Sequence, residues 1–137
     1  MKLNILIIGK RSFTGSSLSS FLKKRKINFV RTDLEKFLEF KNNYLSKFNA
    51  VVNCTTNKTY RYNKYNSKKD FDFTVAKKLK KIDAKLIIFS TRDVYGPGFN
   101  LTENSKKKPI NHNGKNRIIT EKKILKMRKN VIIFRVS

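Results

Sequence analysis

The sequence predicts an α/β protein of one domain, built around a mostly parallel sheet. Short runs of aliphatic and β-branched residues alternate with longer amphipathic segments along the 137 residues, which is the pattern of consecutive βαβ units. The strand-like runs are almost continuously apolar, as parallel strands are when helices cover both faces. The length fits a single domain, residues 1–137.

Five strands and four helices follow from this pattern. The predicted strands are KLNILIIG, INFV, AVVNCT, KLIIFS and VIIFRV. The predicted helices are TGSSLSSFLKKRK, DLEKFLEFKNNYLSKF, the stretch 70–82 and RIITEKKILKMRK. In the first helix Leu18, Phe21 and Leu22 recur at the spacing of one helical face. Asn113–Gly114 is expected to form an exposed turn before the last helix.

The composition is strongly basic, with 33 Lys and Arg residues against 9 Asp and Glu and a net charge of +24. Such a charge attracts polyanions. The basic residues are spread over several predicted helices, which is typical of solvated surfaces, so nucleic acid is not the expected partner. Nucleic-acid association is an alternative, because the tyrosines of TYRYNKYN interleave with Arg61 and Lys64 and could stack on bases. It requires basic residues gathered on one face.

Cysteine and hydropathy exclude several classes of protein. A single cysteine, Cys54, cannot form an internal disulfide, and with His112 it is too small a set of ligands for zinc. No metal is therefore expected. No apolar run approaches the roughly 20 residues of a membrane span, and the first residues lack the pattern of a signal peptide. We expect a cytoplasmic protein.

The segment IIGKRSFTG predicts a phosphate-binding turn. Gly9 follows the first strand and Gly15 lies in the opening turn of the first helix, which is the context of a dinucleotide-binding motif. The first glycine permits the tight turn, the last permits close helix packing, and the helix N-terminus offers N–H groups to a pyrophosphate. Ser12 stands at the middle glycine position, where it takes up space but offers a hydroxyl.

The choice between NAD and NADP depends on three further residues. Arg11 and Arg31 present guanidinium groups that match a 2′-phosphate, so NADP is favoured. Asp33 argues for NAD, because a carboxylate near the end of the second strand can bind ribose hydroxyls. The same Asp33 is equally well placed to cap the next helix.

Four segments resemble, in this order, the motifs of the extended short-chain dehydrogenase/reductase family. They are ILIIGKRSFTG, AVVNCTT, AKLIIFSTRDVYGPG and LTENSKKKPINHNGKNRIITEKKIL. These are sugar-nucleotide epimerases, dehydratases and reductases, and the likeness is greatest to the dTDP-4-dehydrorhamnose reductase and GDP-fucose synthase branches. The resemblance implies a Rossmann-type three-layer sandwich, NAD or NADP as cofactor and a nucleotide-linked sugar as substrate. The family's substrate domain lies mostly beyond the strand matched by VIIFRVS, so we expect it to be missing. The segment between Asp33 and AVVNC is short, so one family strand is expected to be shortened or lost.

The resemblance also assigns site residues. Thr91 matches the catalytic Ser/Thr, whereas Asn113 replaces the catalytic Tyr and Arg117 replaces the catalytic Lys. The residues expected at the cofactor are Gly9, Arg11, Ser12, Phe13, Thr14, Gly15, Arg31, Asp33 and Cys54. An amide has no proton to exchange near neutral pH, and losing a positioned acid/base costs ~10²–10⁴ in rate.

We therefore expect a dinucleotide-binding domain with impaired or lost catalysis. The alternative is an active sugar-nucleotide oxidoreductase, a fragment of a longer enzyme of surface polysaccharide synthesis. Its acid/base group would be relocated to Tyr95 or to a tyrosine of TYRYNKY.

Overall fold

The computed structural model describes residues 2–137, which form five parallel strands, five α-helices and two short 3-10 helices, Ser67–Lys69 and Arg92–Tyr95. The strands are β1 (Asn4–Ile8), β2 (Asn28–Thr32), β3 (Ala50–Asn53), β4 (Lys85–Thr91) and β5 (Val131–Val136). The helices are α1 (Phe13–Lys24), α2 (Leu34–Glu39), α3 (Asn42–Leu45), α4 (Phe71–Lys78) and α5 (His112–Met127). All five predicted strands are confirmed.

The strands form one sheet in the order β2-β1-β3-β4-β5, with every neighbouring pair parallel. The doubly wound order 3-2-1-4-5-6 becomes this order when its third strand is removed. The short segment after Asp33 accounts for the loss, because it holds only α2 and α3 before β3 begins. The opening strand, β1, is therefore interior, and β2 is an edge strand.

The two faces of the sheet carry different helices. Leu6 and Ile8 of β1 point into the main core, which they share with residues of α2, α3, α4 and α5. Ile7 points to the opposite face, where its Cγ2 lies 3.5 Å from the position of a Cβ added to Gly15 of α1. Helix α1 thus covers β1 and β2 on one face, and the other helices cover the second face.

Two helix boundaries differ from the prediction. The helix expected from DLEKFLEFKNNYLSKF is divided, because Phe40 adopts an extended conformation with ψ 137° that ends α2. Phe40, Tyr44 and Phe48 then pack edge to face in sequence. Helix α5 begins at His112 rather than at Arg117, since the side chain of Asn111 accepts the Gly114 N–H at 2.8 Å. The pair Asn113–Gly114 is therefore helical rather than an exposed turn.

Candidate functional site

The turn between β1 and α1 requires glycine at both of its predicted positions. Gly9 has a φ of +128°, and a Cβ there would lie 3.2 Å from the backbone carbon of Cys54 and 3.1 Å from the Cβ of Ser12. A Cβ on Gly15 would lie 2.8 Å from the carbonyl oxygen of Gly9. The helix start is thus in direct contact with the end of β1.

Ser12 caps α1. Its backbone is extended and its Oγ accepts the N–H of Gly15 at 3.1 Å, which satisfies one of the free donors at the helix start. Phe13 and Thr14 occupy the first two helical positions, and their N–H groups have no acceptor within the described residues. The serine side chain is therefore engaged inside the turn, and two exposed N–H groups remain in front of it.

Arg31 of β2 holds the turn from the neighbouring strand. Its Nη2 donates to the carbonyl oxygens of Gly9 at 3.1 Å and Ser12 at 3.3 Å, and to the Ser16 Oγ at 3.0 Å. Its Nε is buried and has no hydrogen-bond partner in the described chain. Arg31 was predicted to contact a 2′-phosphate, but its Nη2 group already donates hydrogen bonds to the turn.

Asp33 follows β2 directly and caps α2. Its Oδ1 accepts the Lys36 N–H at 2.8 Å, so the capping role that the sequence allowed is present. Asp33 is exposed. The strand before Asp33, β2, lies directly beside β1. In the doubly wound order this neighbouring strand carries the acid that binds the ribose.

Arg11 belongs to this turn, and Cys54 lies against Gly9 beside it. Arg11 is exposed and forms no ion pair among the described residues. Cys54 follows β3, and its N–H donates to the Ile8 carbonyl oxygen at 2.8 Å. Burial raises the pKa of the Cys54 thiol to about 11, so it is neutral near pH 7 and is not a ready nucleophile.

Thr91 and Asn113 both approach Asp93, a residue that the sequence analysis did not single out. Thr91 ends β4, and its Oγ1 accepts the Asp93 N–H at 3.2 Å. The Nδ2 groups of Asn113 and Asn111 donate to Asp93 Oδ2 at 3.0 and 3.3 Å. The structure thus brings two of the three predicted catalytic positions to Asp93, Thr91 to its backbone N–H and Asn113 to its carboxylate.

The third predicted catalytic position, Arg117, points into the protein. It is 7% exposed and forms an ion pair with Asp72, which is 4% exposed and also accepts from Asn53 Nδ2 at 2.6 Å. Burial alone would lower the pKa of Arg117, but the Asp72 carboxylate and the Tyr60 ring more than offset it, so the pKa is raised. The guanidinium is held in a buried network rather than exposed to a ligand.

Three of the four tyrosines considered as substitute acids are engaged in hydrogen bonds. The Tyr60 hydroxyl bonds Thr120, and the Tyr65 hydroxyl donates to Asp70 Oδ2 at 2.6 Å. Burial raises the pKa of both, so they donate protons less readily than a free tyrosine. Tyr95 accepts a hydrogen bond from Arg135. Tyr62 is exposed, and it lies in the loop after β3.

A cavity of about 700 Å³ opens between the segment that follows β4 and the end of β5. Arg92 and Tyr95 line one side, Ile133–Arg135 of β5 the other, and residues 100–103 the rim. Because β4 and β5 are parallel, this cavity lies at the carboxyl end of the sheet, where open α/β sheets bind ligands. The turn of α1 and this cavity therefore open on the same edge.

Two classes of feature are not found in the described part of the chain. Residues 2–137 contain no group of His, Cys, Asp and Glu side chains that could hold a metal ion. They also contain no helix that is long and apolar enough to cross a bilayer.

The sequence matches no protein-family model and no curated protein. Solved structures do match. A dTDP-4-dehydrorhamnose reductase from Clostridium acetobutylicum aligns with 98% of this chain at 19% identity and a TM-score of 0.75. The chain shares the fold of that enzyme. It covers 53% of the reductase's length.

Two further structures share this architecture. A UDP-glucuronic acid 4-epimerase from Bacillus cereus, in complex with NAD, aligns with 97% of this chain at 17% identity and a TM-score of 0.71. An NAD-dependent NDP-hexosamine 5,6-dehydratase of tunicamycin biosynthesis aligns with 98% at 16% identity and a TM-score of 0.73. This chain spans 55% and 54% of their lengths. The predicted Rossmann-type fold is confirmed, and at the level of fold so is the resemblance to extended short-chain dehydrogenases/reductases.

Proposed function

We propose that this chain binds a dinucleotide, NAD or NADP, at the turn between β1 and α1. The observation that carries the proposal is the pair of open N–H groups on Phe13 and Thr14, in front of a turn that contains Gly9 and Gly15. A helix start of this kind attracts a pyrophosphate through its N–H groups and its dipole. The epimerase of the same fold is in complex with NAD and the dehydratase is NAD-dependent, which supports a dinucleotide.

Asp33 and Arg11 are the residues we propose for the adenosine end of the cofactor. The Oδ2 of Asp33 is not used by the helix cap, so it can accept a hydrogen bond from a ribose hydroxyl. Arg11 is exposed and can contact a 2′-phosphate through its planar fork. Arg31 supports the site by holding the turn. The enzymes of like fold give no support to the preference for NADP, and Asp33 favours NAD.

Titration of the chain with NADH and NADPH, followed by calorimetry, tests this proposal. We expect both cofactors to bind. Arg11→Ala is expected to weaken NADPH more than NADH, because only NADPH offers the 2′-phosphate to the guanidinium. Equal losses of affinity for the two cofactors would show that Arg11 does not contact the 2′-phosphate. Failure of the unaltered chain to bind either cofactor would overturn the proposed function.

Catalysis is impaired in this proposal. An acid/base group must exchange a proton at the substrate, and the amide of Asn113 cannot do so near neutral pH. Arg117 is paired with Asp72, so it does not replace a lysine that binds ribose and lowers the pKa of a tyrosine. Thr91 keeps a hydroxyl at the carboxyl end of β4 and could still bind a substrate oxygen.

An active sugar-nucleotide oxidoreductase is the second candidate, and the cavity between Arg92 and the end of β5 favours it. Arg92 at its wall carries a positive charge that suits a diphosphate, and the structural relatives include enzymes of UDP- and dTDP-linked sugars. Turnover of NADH or NAD with UDP- and dTDP-sugars separates the two candidates. We expect no turnover above background, and none after Asn113→Tyr with Arg117→Lys. Robust turnover by the unaltered chain would establish the second candidate.

A further inference from the structure

An exposed lysine marks the beginning of every strand. Lys2 precedes β1, Lys26 precedes β2, Lys47 precedes β3, Lys85 begins β4 and Lys129 precedes β5. The sheet order arranges them as Lys26, Lys2, Lys47, Lys85 and Lys129. We call these five residues the lysine row. Four strand spacings of about 4.8 Å give the row a length of about 19 Å.

Backbone contacts fix the positions from which the row projects. Asn4 Nδ2 donates to the Lys47 carbonyl oxygen at 3.2 Å, and the Lys85 N–H donates to the Asn49 carbonyl oxygen at 3.0 Å. The first residues of β1 and β2, Asn4 and Asn28, are paired in register. The row therefore lies on the ordered amino edge of the sheet, opposite the turn that we propose binds a dinucleotide.

The ends of three helices add further positive charge to this edge. Because α1, α4 and α5 each lead into a parallel strand, their last turns lie at the amino edge. Within residues 23–26, 77–85 and 126–129 the one acidic residue is Asp83. The exposed basic residues beside the row are Lys23, Lys24, Arg25, Lys77, Lys80, Lys81 and Lys126.

Stabilisation of the fold explains only part of the row. Lys26, Lys47 and Lys129 each come two residues after the end of a helix, where the helix dipole favours positive charge, and Lys47 Nζ also lies 5.9 Å over the Tyr44 ring. Lys2 and Lys85 lie at strand starts without a helix end before them, and sheets have only small net dipoles. None of the five lysines forms an ion pair among the described residues. Five like charges on one edge repel one another, so binding of an anionic partner would reduce this repulsion.

We propose that the lysine row binds the phosphate backbone of a nucleic acid without reading its sequence. A duplex carries one charge per about 1.7 Å of its length, so a row of 19 Å faces several phosphates. The ammonium group is a flexible point charge that suits phosphates in any register. Lys26, Lys2 and Lys47 each lie three residues before the paired Phe29, Ile5 and Ala50 of three adjacent strands, whereas Lys85 is itself level with Ala50. The alignment of the first three fits a linear polyanion better than a flat lipid surface.

The structure does not favour the stacking of nucleic-acid bases on the tyrosines of TYRYNKYN. Tyr60 is 6% exposed, and the hydroxyl of Tyr65 is bound to Asp70. Among these three tyrosines Tyr62 alone is exposed, and it lies at the carboxyl edge, away from the row. Backbone contact by lysines therefore replaces base stacking in this proposal.

Fluorescence anisotropy with short labelled RNA and DNA duplexes, over a range of salt concentrations, tests the proposal. The row variant combines Lys26→Gln, Lys47→Gln and Lys85→Gln. The matched variant combines Lys58→Gln, Lys68→Gln and Lys106→Gln, three exposed lysines in the segments that join β3 to α4 and β4 to α5 at the carboxyl edge. Both variants lose three charges, so a difference between them reports position rather than net charge.

We expect the unaltered chain to bind with a slope of log K against log salt of roughly −4, from about five contacts. The row variant should lose at least tenfold more affinity than the matched variant, and its slope should fall by roughly three. Equal losses in the two variants, or no duplex binding at low salt, would overturn the proposal. So would row-dependent binding to phosphatidylserine vesicles without binding to duplexes. If the row variant fails to fold by circular dichroism, Lys47→Gln alone should lower the slope by about one.

Discussion

Arg31 donates a hydrogen bond from Nη2 to the carbonyl oxygen of Gly9, 3.1 Å away and 22 residues earlier in the chain. The same nitrogen reaches Ser12 and Ser16. The bonds join β2 to the turn before α1, so they hold the edge strand against the start of the first helix. The shape of the turn therefore depends on an arginine outside the glycine motif.

Arg31→Lys should destabilise the protein and loosen this turn. The three hydrogen bonds all come from Nη2, and a lysine side chain is one bond shorter than the path to that atom. The carbonyl oxygens of Gly9 and Ser12 would therefore lose their donor. We expect a loss of about 1–3 kcal/mol in the free energy of unfolding, measured by urea denaturation. Arg61→Lys, at an exposed position, is the matched control and should change it by less than about 0.5 kcal/mol. Equal stability of the two variants would contradict the role of Arg31.

Asp72→Asn should destabilise the protein more than any surface change. It leaves the buried guanidinium of Arg117 without a counter-charge, and breaking a buried pair in this way typically costs about 3–5 kcal/mol. Urea denaturation measures the loss. The double variant Asp72→Leu with Arg117→Met removes both charges and should recover much of the lost stability. If the double variant loses as much free energy of unfolding as its two single changes lose together, a direct pairing of the two residues is contradicted.

Glu121 predicts an acid-sensitive contribution to stability. Burial alone would raise the pKa of Glu121, but hydrogen bonds from Arg135 and Ser90 lower it below its usual range. The folded state therefore favours the ionised carboxylate, so the stabilisation is complete above the unfolded pKa of about 4.3 and is lost as pH falls through the folded pKa.

Glu121→Gln should remove this part of the pH dependence. Unfolding free energies measured from pH 6 downward should fall less steeply for the variant than for the unaltered chain. The variant should also be less stable at pH 6, because Arg135 loses its ionic partner. Identical pH profiles for the two chains would show that Glu121 does not carry the effect.

The sequence predicted the parts of the fold that depend on local pattern. Apolar runs located β1 to β5, because strand burial selects residue types directly. Gly9 and Gly15 located the turn, because a positive φ at Gly9 and a close approach to its carbonyl oxygen at Gly15 both require glycine. The ion pair of Arg117 could not be predicted in this way, since Asp72 lies 45 residues away. Asp33 illustrates an intermediate case, because its capping role is local whereas its place beside β1 depends on the strand order.

The lysine row shows the same limit on a larger scale. Its members are scattered from residue 2 to residue 129, and only the order of the strands makes them neighbours. The sequence therefore predicted solvated, dispersed charge, whereas the fold collects one lysine from the start of each strand. The break at Phe40 was also missed, because the apolar residues around it fit one long helix as well as two short ones.

The most direct test of the central claim removes a single N–H group from the proposed pyrophosphate site. Phe13→Pro deletes the donor at the first helical position, where proline is tolerated, and Ser12 before it already has the extended backbone that proline requires, with ψ 137°. Phe13→Ala is the control, because it removes the same exposed ring and keeps the N–H. In calorimetric titrations with NADH we expect Phe13→Pro to bind roughly tenfold more weakly and Phe13→Ala to bind within about threefold of the unaltered chain. Equal affinities for the two variants would contradict a pyrophosphate seated on the start of α1.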